Sequence, residues 1–141
     1  MTDPYQLGRF LVAQDRDDTY HRALSEIRQG RKLSHWMWFV FPQVAGLGHS
    51  PLAQKYAISS LEEARAYLHH DPLGARLIAC ARALLEVQDR SAQVLLGAVD
   101  GQKLRSCMTL FARAAPDEVV FNQVLDRYFE GHPDPLTEQR I

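Results

Sequence analysis

The stretch that most constrains this chain is Ser34 to Gln43, with the sequence SHWMWFVFPQ. Six of its ten residues are Trp, Met, Phe or Val, and each aromatic ring can remove about 150–250 Å² from water when it is buried. The run is too short to span a bilayer, which needs about 20 apolar residues. It is therefore predicted to be a core element of a soluble domain.

Hydrophobic spacing alone does not decide the secondary structure of this run. Read as a helix, it places Trp36 and Val40 on one stripe; read as a strand, it places Trp36, Trp38 and Val40 on one face. Ser34 as an N-cap and Pro42 as a terminator favour one or two turns of helix. We therefore predict a short helix that Ser34 caps.

Helix signals recur along the rest of the chain. Ser50-Pro51 and the capping box from Ser60 to Glu63 each start a helix, and Gly30 ends one as a C′ residue. Strand-like alternation is absent from the sequence. We predict a single all-α domain over residues 1–141 with about eight short-to-medium helices.

Two later helices carry the clearest stripes. The segment after Asp71-Pro72 has apolar residues at helical spacing, and Leu77 and Leu84 are predicted to be buried. Asp100 is predicted to cap the next long helix, which runs to about Ala114.

Bulk composition excludes several classes of function. The net charge of −1 over 141 residues argues against broad nucleic-acid or membrane-surface binding, which needs a basic excess. Cys80 and Cys107 lie in helical patterns and are predicted to be reduced core thiols. The first residues show no export signal. We therefore expect a cytoplasmic protein.

Motifs for metals, cofactors and known nucleophiles are also absent from the sequence. It contains no CxxC pair, no HExxH, no Walker loop and no Gly-x-Ser-x-Gly elbow. The six histidines are scattered, and the adjacent His69 and His70 point to different sides of a helix. We expect neither a metal nor a cofactor, and the sequence indicates no particular reaction.

Two segments nevertheless combine core residues with polar ones. The first contributes Lys32, Ser34 and His35 beside two tryptophans. These polar groups can be structural, with Ser34 as a cap and Lys32 in solvent, or they can line a pocket walled by Trp36 or Trp38.

The second polar segment follows about seventy residues later, in DGQKLRSCMTLF. Helical spacing places Asp100, Lys103 and Ser106 or Cys107 on one face, and Met108 on the core face. That polar stripe can be a solvated ion pair, or it can bind an anion through the lysine and the serine hydroxyl.

These segments resemble the bacterial domain-of-unknown-function family 1810. The resemblance is carried by Lys32 to Gln43, by Gly46-Leu-Gly48, by Leu73-Gly74-x-Arg76 and by the run from Asp100 to Phe111. Cys107 departs from the serine expected in that family. The resemblance covers nearly the whole chain and implies a mainly helical fold, but it implies no established activity. Members are often labelled calpastatin, a disordered repeat inhibitor that this core-rich sequence does not match.

The fixed polar positions of the family favour a pocket, and two functional hypotheses follow. In the first, the protein binds a small phosphorylated or nucleotide-like anion; in the second, it is a non-catalytic protein-interaction module with an exposed aromatic surface. For the first hypothesis, His35 is the acid–base candidate, and the ligand-binding candidates are Lys32, Ser34, Trp36, Trp38, Arg76, Asp100, Lys103 and Ser106.

Overall fold

The structure, a computed structural model, describes residues 3–141. In that range the chain forms ten α-helices and one 3-10 turn, and its β-structure is limited to an isolated bridge between Val44 and Ile58. The all-α prediction is therefore confirmed. The helices are α1 (Gly8–Asp15), α2 (Thr19–Arg28), α3 (Met37–Val40), α4 (Pro51–Lys55), α5 (Leu61–His69), α6 (Leu73–Glu86), α7 (Ala92–Leu96), α8 (Ala98–Ala114), α9 (Val120–Phe129) and α10 (Pro135–Glu138).

Helices α6 and α8 organise the packing. Helix α6 lies against α2, α5 and α9, and α8 lies against α5, α7, α9 and α10. Leu77 and Leu84 on α6 are 1% and 0% exposed, as predicted from their stripe, and Met108 on α8 is fully buried. One hydrophobic core runs from Leu7 near the first helix to Leu125 on α9. Within residues 3–141, no helix is long and apolar enough to cross a membrane.

Local signals set several helix ends as the sequence predicted. The hydroxyl oxygens of Ser50 and Ser60 accept hydrogen bonds from the backbone N–H groups of Ala53 and Glu63, both at 3.1 Å. Gly30 follows the end of α2 with a φ of +80°, a conformation that glycine adopts without the penalty of a Cβ atom.

The predicted start of α8 was wrong by three residues. The helix begins at Ala98, and the residue that precedes it is Gly97, with a φ of +93°. This glycine lets the chain turn from α7 directly into α8, so the helix is already formed when it reaches Asp100. Asp100 lies in the first turn of α8 instead of capping it, where its negative charge still favours the helix dipole.

Candidate functional site

The loop before the aromatic helix is held by the buried carboxylate of Glu26, near the end of α2. One of its oxygens accepts hydrogen bonds from the backbone N–H groups of Leu33 (2.7 Å) and Ser34 (3.0 Å) and from the indole N–H of Trp36 (2.9 Å). The other oxygen accepts the Ser34 hydroxyl. Glu26 therefore fixes both the backbone of the loop and the orientation of one tryptophan.

These hydrogen bonds also keep Glu26 ionised. Burial by itself would raise the pKa of the carboxyl, but the hydrogen bonds from Ser34, Leu33 and Trp36 outweigh it and lower the pKa from 4.5 to about 2. A carboxylate with so low a pKa and with donors on both oxygens is not available as a general base at neutral pH. Its role in the structure is to position the loop.

The prediction that Ser34 caps the aromatic helix was wrong. Helix α3 begins at Met37, its preceding residue is Trp36, and no side chain caps it. The Ser34 hydroxyl instead donates to Glu26, which is eight residues earlier in the sequence. A buried ionised acceptor forms a stronger hydrogen bond than the backbone N–H groups of a single helical turn can offer.

Lys32 and Lys103 share the carboxylate of Asp100. Lys32 Nζ lies 2.9 Å from one Asp100 oxygen, and Lys103 Nζ lies 3.4 Å from the other. The side chains of the two lysines are 10% and 19% exposed and that of Asp100 is 20% exposed. We call these three residues the lysine pair cluster. It joins the first polar segment of the sequence analysis, which contains Lys32, to the second, which contains Asp100 and Lys103.

Each lysine also lies against a tryptophan ring. Lys103 Nζ is 4.6 Å from the ring centre of Trp38, and Lys32 Nζ is 5.2 Å from that of Trp36, both within the range of a cation–π contact. Trp36 is completely buried, whereas Trp38 is only partly buried. Of the two rings, Trp38 is therefore the one that solvent or a ligand can reach.

A backbone contact explains why segments so far apart in sequence meet. The N–H of Lys32 donates to the carbonyl of Leu95 at 2.8 Å, so the chain leaving α2 runs along α7 just before α7 turns into α8. The first turn of α8 then presents Asp100 to the Lys32 ammonium. Helical spacing places Lys103 one turn further on, next to the same carboxylate.

Three other candidates form no described hydrogen bond or ion pair with the lysine pair cluster. His35 is exposed, and it forms no side-chain hydrogen bond with any residue in the range 3–141. The Arg76 guanidinium pairs with Asp15 at 2.9 Å and lies 4.8 Å from the ring centre of Tyr20. Ser106 donates to Asp134 at 3.0 Å. The described side-chain contacts of Arg76 and Ser106 are therefore made outside the lysine pair cluster.

The Ser106 contact belongs to a polar network that fastens α10 to α8. Asp134 is 2% exposed and accepts hydrogen bonds from Ser106, from Gln102 at 3.1 Å and from the hydroxyl of Thr137 at 2.6 Å. Its own N–H donates to Thr109 at 2.8 Å. The serine of the predicted polar stripe is thus engaged in packing the C-terminal helix.

Both cysteines are buried and free, as the sequence predicted. Burial raises the pKa of Cys80 to about 12 and raises that of Cys107 well above its usual value of 9.0. These thiols are protonated at neutral pH and are therefore poor nucleophiles. Because Cys107 is fully buried, the departure from the serine expected there affects core packing.

Sequence reasoning missed Glu26, although a signal for it existed. Glu26 lies three residues after Ala23 and beside Ile27, so helical spacing places it on the buried face of α2. A glutamate on an apolar stripe needs partners, and the polar segment that follows α2 supplies them.

The chain matches the family described as protein of unknown function (DUF1810) over residues 4–141. It belongs to that family. The match confirms the resemblance drawn from the aromatic run and the Asp100 segment.

A solved structure has the same fold. The conserved hypothetical protein Rv1873 from Mycobacterium tuberculosis is 50% identical and superposes with a TM-score of 0.94, covering 97% of this chain and 96% of that one. No curated protein matches the sequence. The family and the fold are thus shown.

Proposed function

We propose that the lysine pair cluster binds the anionic group of a small phosphorylated or nucleotide-like ligand, beside the ring of Trp38. The observation that carries this proposal is the sharing of one carboxylate by two ammonium groups. Asp100 offsets one of the two positive charges, so Lys32, Asp100 and Lys103 together have a net charge of +1. A partly buried positive charge of this kind attracts an anion more strongly than a fully solvated lysine does.

The two lysines have different roles in this proposal. Lys32 makes the shorter contact with Asp100 and is the less exposed lysine, so it neutralises the carboxylate and prevents it from repelling the ligand. Lys103 makes the longer contact of 3.4 Å and retains N–H donors for a phosphate or carboxylate oxygen. Trp38 lies against Lys103 and offers a face for a planar group.

Arg76, Ser106 and His35 have secondary places in the proposal. Arg76 and Ser106 are engaged by Asp15 and Asp134, so they support the elements around the site. His35 precedes Trp36, is exposed, and is the candidate proton donor or acceptor if the bound ligand reacts.

A thermal-shift screen against nucleotides, sugar phosphates and small carboxylates tests the proposal. A ligand present at about 100 times its Kd adds roughly 2.7 kcal/mol to the free energy of unfolding. We expect at least one phosphorylated compound to raise the melting temperature, and we expect Lys103→Ala to abolish that shift. The variant itself should unfold within about 1 kcal/mol of the native protein, because a partly solvated ion pair contributes little.

Lys55→Ala is the matched control. The Lys55 ammonium also lies over an aromatic ring, 5.3 Å from the centre of Tyr56, but it is exposed and located at α4. A shift that survives in Lys55→Ala and disappears in Lys103→Ala supports the site. A shift that survives in Lys103→Ala would refute it.

A second candidate function, a protein-interaction module, has its own observation. Leu33, Val94 and Val99 are 66%, 59% and 71% exposed, and Leu33 and Val99 adjoin Lys32 and Asp100 in sequence. Exposed apolar residues near one another are typical of interaction surfaces. A photo-crosslinking amino acid at residue 99, in cells that express the protein, distinguishes the two functions. A single defined adduct indicates a protein partner, and the absence of an adduct favours the ligand-binding function.

A further inference from the structure

A second basic feature lies beside the residues that immediately precede Lys32. Gly30, Arg31, Arg90 and Val94 line a cleft of about 350 Å³. We propose that this cleft is a separate anion-binding site that takes a phosphoryl group between its two guanidinium groups. The proposal does not depend on the lysine pair cluster, because neither Lys32 nor Lys103 lines the cleft.

The fold brings the two arginines to the same cleft although 59 positions separate them in the sequence. The N–H of Arg31 donates to the carbonyl of Glu26 at 3.1 Å, and the N–H of the following residue, Lys32, donates to Leu95 at 2.8 Å. These bonds fix the segment after α2 against α7. The loop before α7 supplies Arg90, and α7 itself supplies Val94.

Gly30 allows Arg90 to approach closely. Its φ of +80° favours glycine, and a Cβ atom at this position would lie 3.3 Å from Arg90 Nε. The Arg90 side chain therefore passes directly over the backbone of residue 30. This contact gives the guanidinium a defined place at the cleft without using any of its N–H donors.

The charges of the cleft lack a protein counter-ion. Among residues 3–141, Arg31 and Arg90 form no ion pair within 4.0 Å and no side-chain hydrogen bond, and the lining contains no carboxylate. Asp89, the acidic neighbour of Arg90 in sequence, is not part of the lining. Two positive side chains that line one cleft, with no carboxylate in its lining, favour the binding of an anion there.

The chemistry of the guanidinium group indicates the ligand class. Its planar fork donates paired hydrogen bonds to two oxygens of one phosphate, which an ammonium group cannot do. The cleft volume is near the lower end of the range for small-molecule sites, about 300–1,000 Å³. A phosphate or diphosphate group with a small substituent is therefore the expected occupant, and the Val94 side chain offers it an apolar contact.

Titration of the ¹⁵N-labelled full chain with inorganic phosphate and with pyrophosphate tests the inference. We expect saturable changes in the amide chemical shifts of Gly30, Arg31 and Val94. Pyrophosphate should bind more tightly than phosphate. Arg31→Ala and Arg90→Ala should each weaken binding at least about tenfold, because each removes one fork of paired hydrogen bonds. Both arginines are exposed, so both alanine variants should fold. Arg90→Lys is a milder substitution that keeps the positive charge but lacks the planar fork of the guanidinium group.

The control variants make the outcome decisive. Arg82→Ala removes an exposed arginine outside the cleft and should leave the titration unchanged. Lys103→Ala should leave the shifts at Gly30, Arg31 and Val94 unchanged, because Lys103 does not line the cleft. Shifts that grow linearly with concentration, or that survive in both cleft variants, would overturn the inference. Shifts that centre on Lys103 and disappear only in Lys103→Ala would overturn it while supporting the proposed function.

Discussion

Replacement of Glu26 by glutamine tests how the loop beside the lysine pair cluster is held. The substitution keeps the length of the side chain and leaves one oxygen to accept from Leu33, Ser34 and Trp36. It removes the negative charge that strengthens those hydrogen bonds. The expected effect is therefore a loss of stability that depends on pH.

The pKa of Glu26 sets the size of this effect. A pKa lowered from 4.5 to about 2 corresponds to about 3 kcal/mol of stability at neutral pH, since one pKa unit is worth about 1.4 kcal/mol. We expect Glu26→Gln to be about 2–3 kcal/mol less stable than the native protein at pH 7.

The sign of the pH dependence follows from the direction of the pKa change. Because the pKa in the folded protein is lower than in the unfolded chain, this contribution is fully present above about pH 4.5. It is then lost as the pH falls towards the folded value of about 2. Urea unfolding at a series of pH values from about 2 to 7 measures this contribution to the free energy of unfolding. The difference between the native protein and Glu26→Gln should be constant near neutral pH and should shrink as the solution is acidified.

Glu86→Gln serves as the control for other carboxyl groups that titrate in the same range. Glu86 is an exposed glutamate at the end of α6, and its replacement should change stability by less than about 0.5 kcal/mol at every pH. If the Glu26→Gln difference at pH 7 is as small as that of the control, or if it does not shrink at low pH, Glu26 does not hold the loop as an ionised group.

Three further predictions concern the fold. Leu84→Ala should cost about 2–5 kcal/mol in urea unfolding because the side chain is fully buried on α6, and a loss below about 1 kcal/mol would contradict the packing of that helix. Asp134→Ala should cost about 1–3 kcal/mol because it leaves buried donors unpaired, and faster amide exchange in α10 should accompany that loss. Gly74→Ala should prevent normal folding, as judged by circular dichroism, because a Cβ atom there would overlap the backbone carbonyl of Leu68; a native-like spectrum and melting temperature would contradict that contact.

The sequence predicted those parts of the fold that depend on neighbouring residues. Ser50 and Ser60 cap the helices they precede, and the burial of Leu77 and Leu84 follows from spacing within α6. Such features involve groups three or four residues apart, so a single stretch of sequence contains all the information they need.

Contacts between distant segments were beyond that kind of reasoning. Ser34 looks like a cap because its acceptor, Glu26, belongs to the preceding helix, and only the folded loop brings the two together. Ser106 shares a helical face with Lys103, yet its hydroxyl is taken by Asp134, which is 28 residues later in the chain. The mixture of charged and core residues in both segments favoured a pocket, but it did not predict that Lys32 would pair with Asp100. The backbone bond to Leu95 that produces this pairing has no signature in the sequence.

Intrinsic fluorescence tests the central claim, that the lysine pair cluster binds an anion, most directly. The chain has two tryptophans, and each lies against one of the two lysines, so emission reports from the site itself. Titration with the phosphorylated compounds of the thermal-shift screen should give a saturable change in emission that is lost in Lys103→Ala and kept in Lys55→Ala. Emission that stays constant for every compound, or a change that persists unaltered in Lys103→Ala, would contradict the claim.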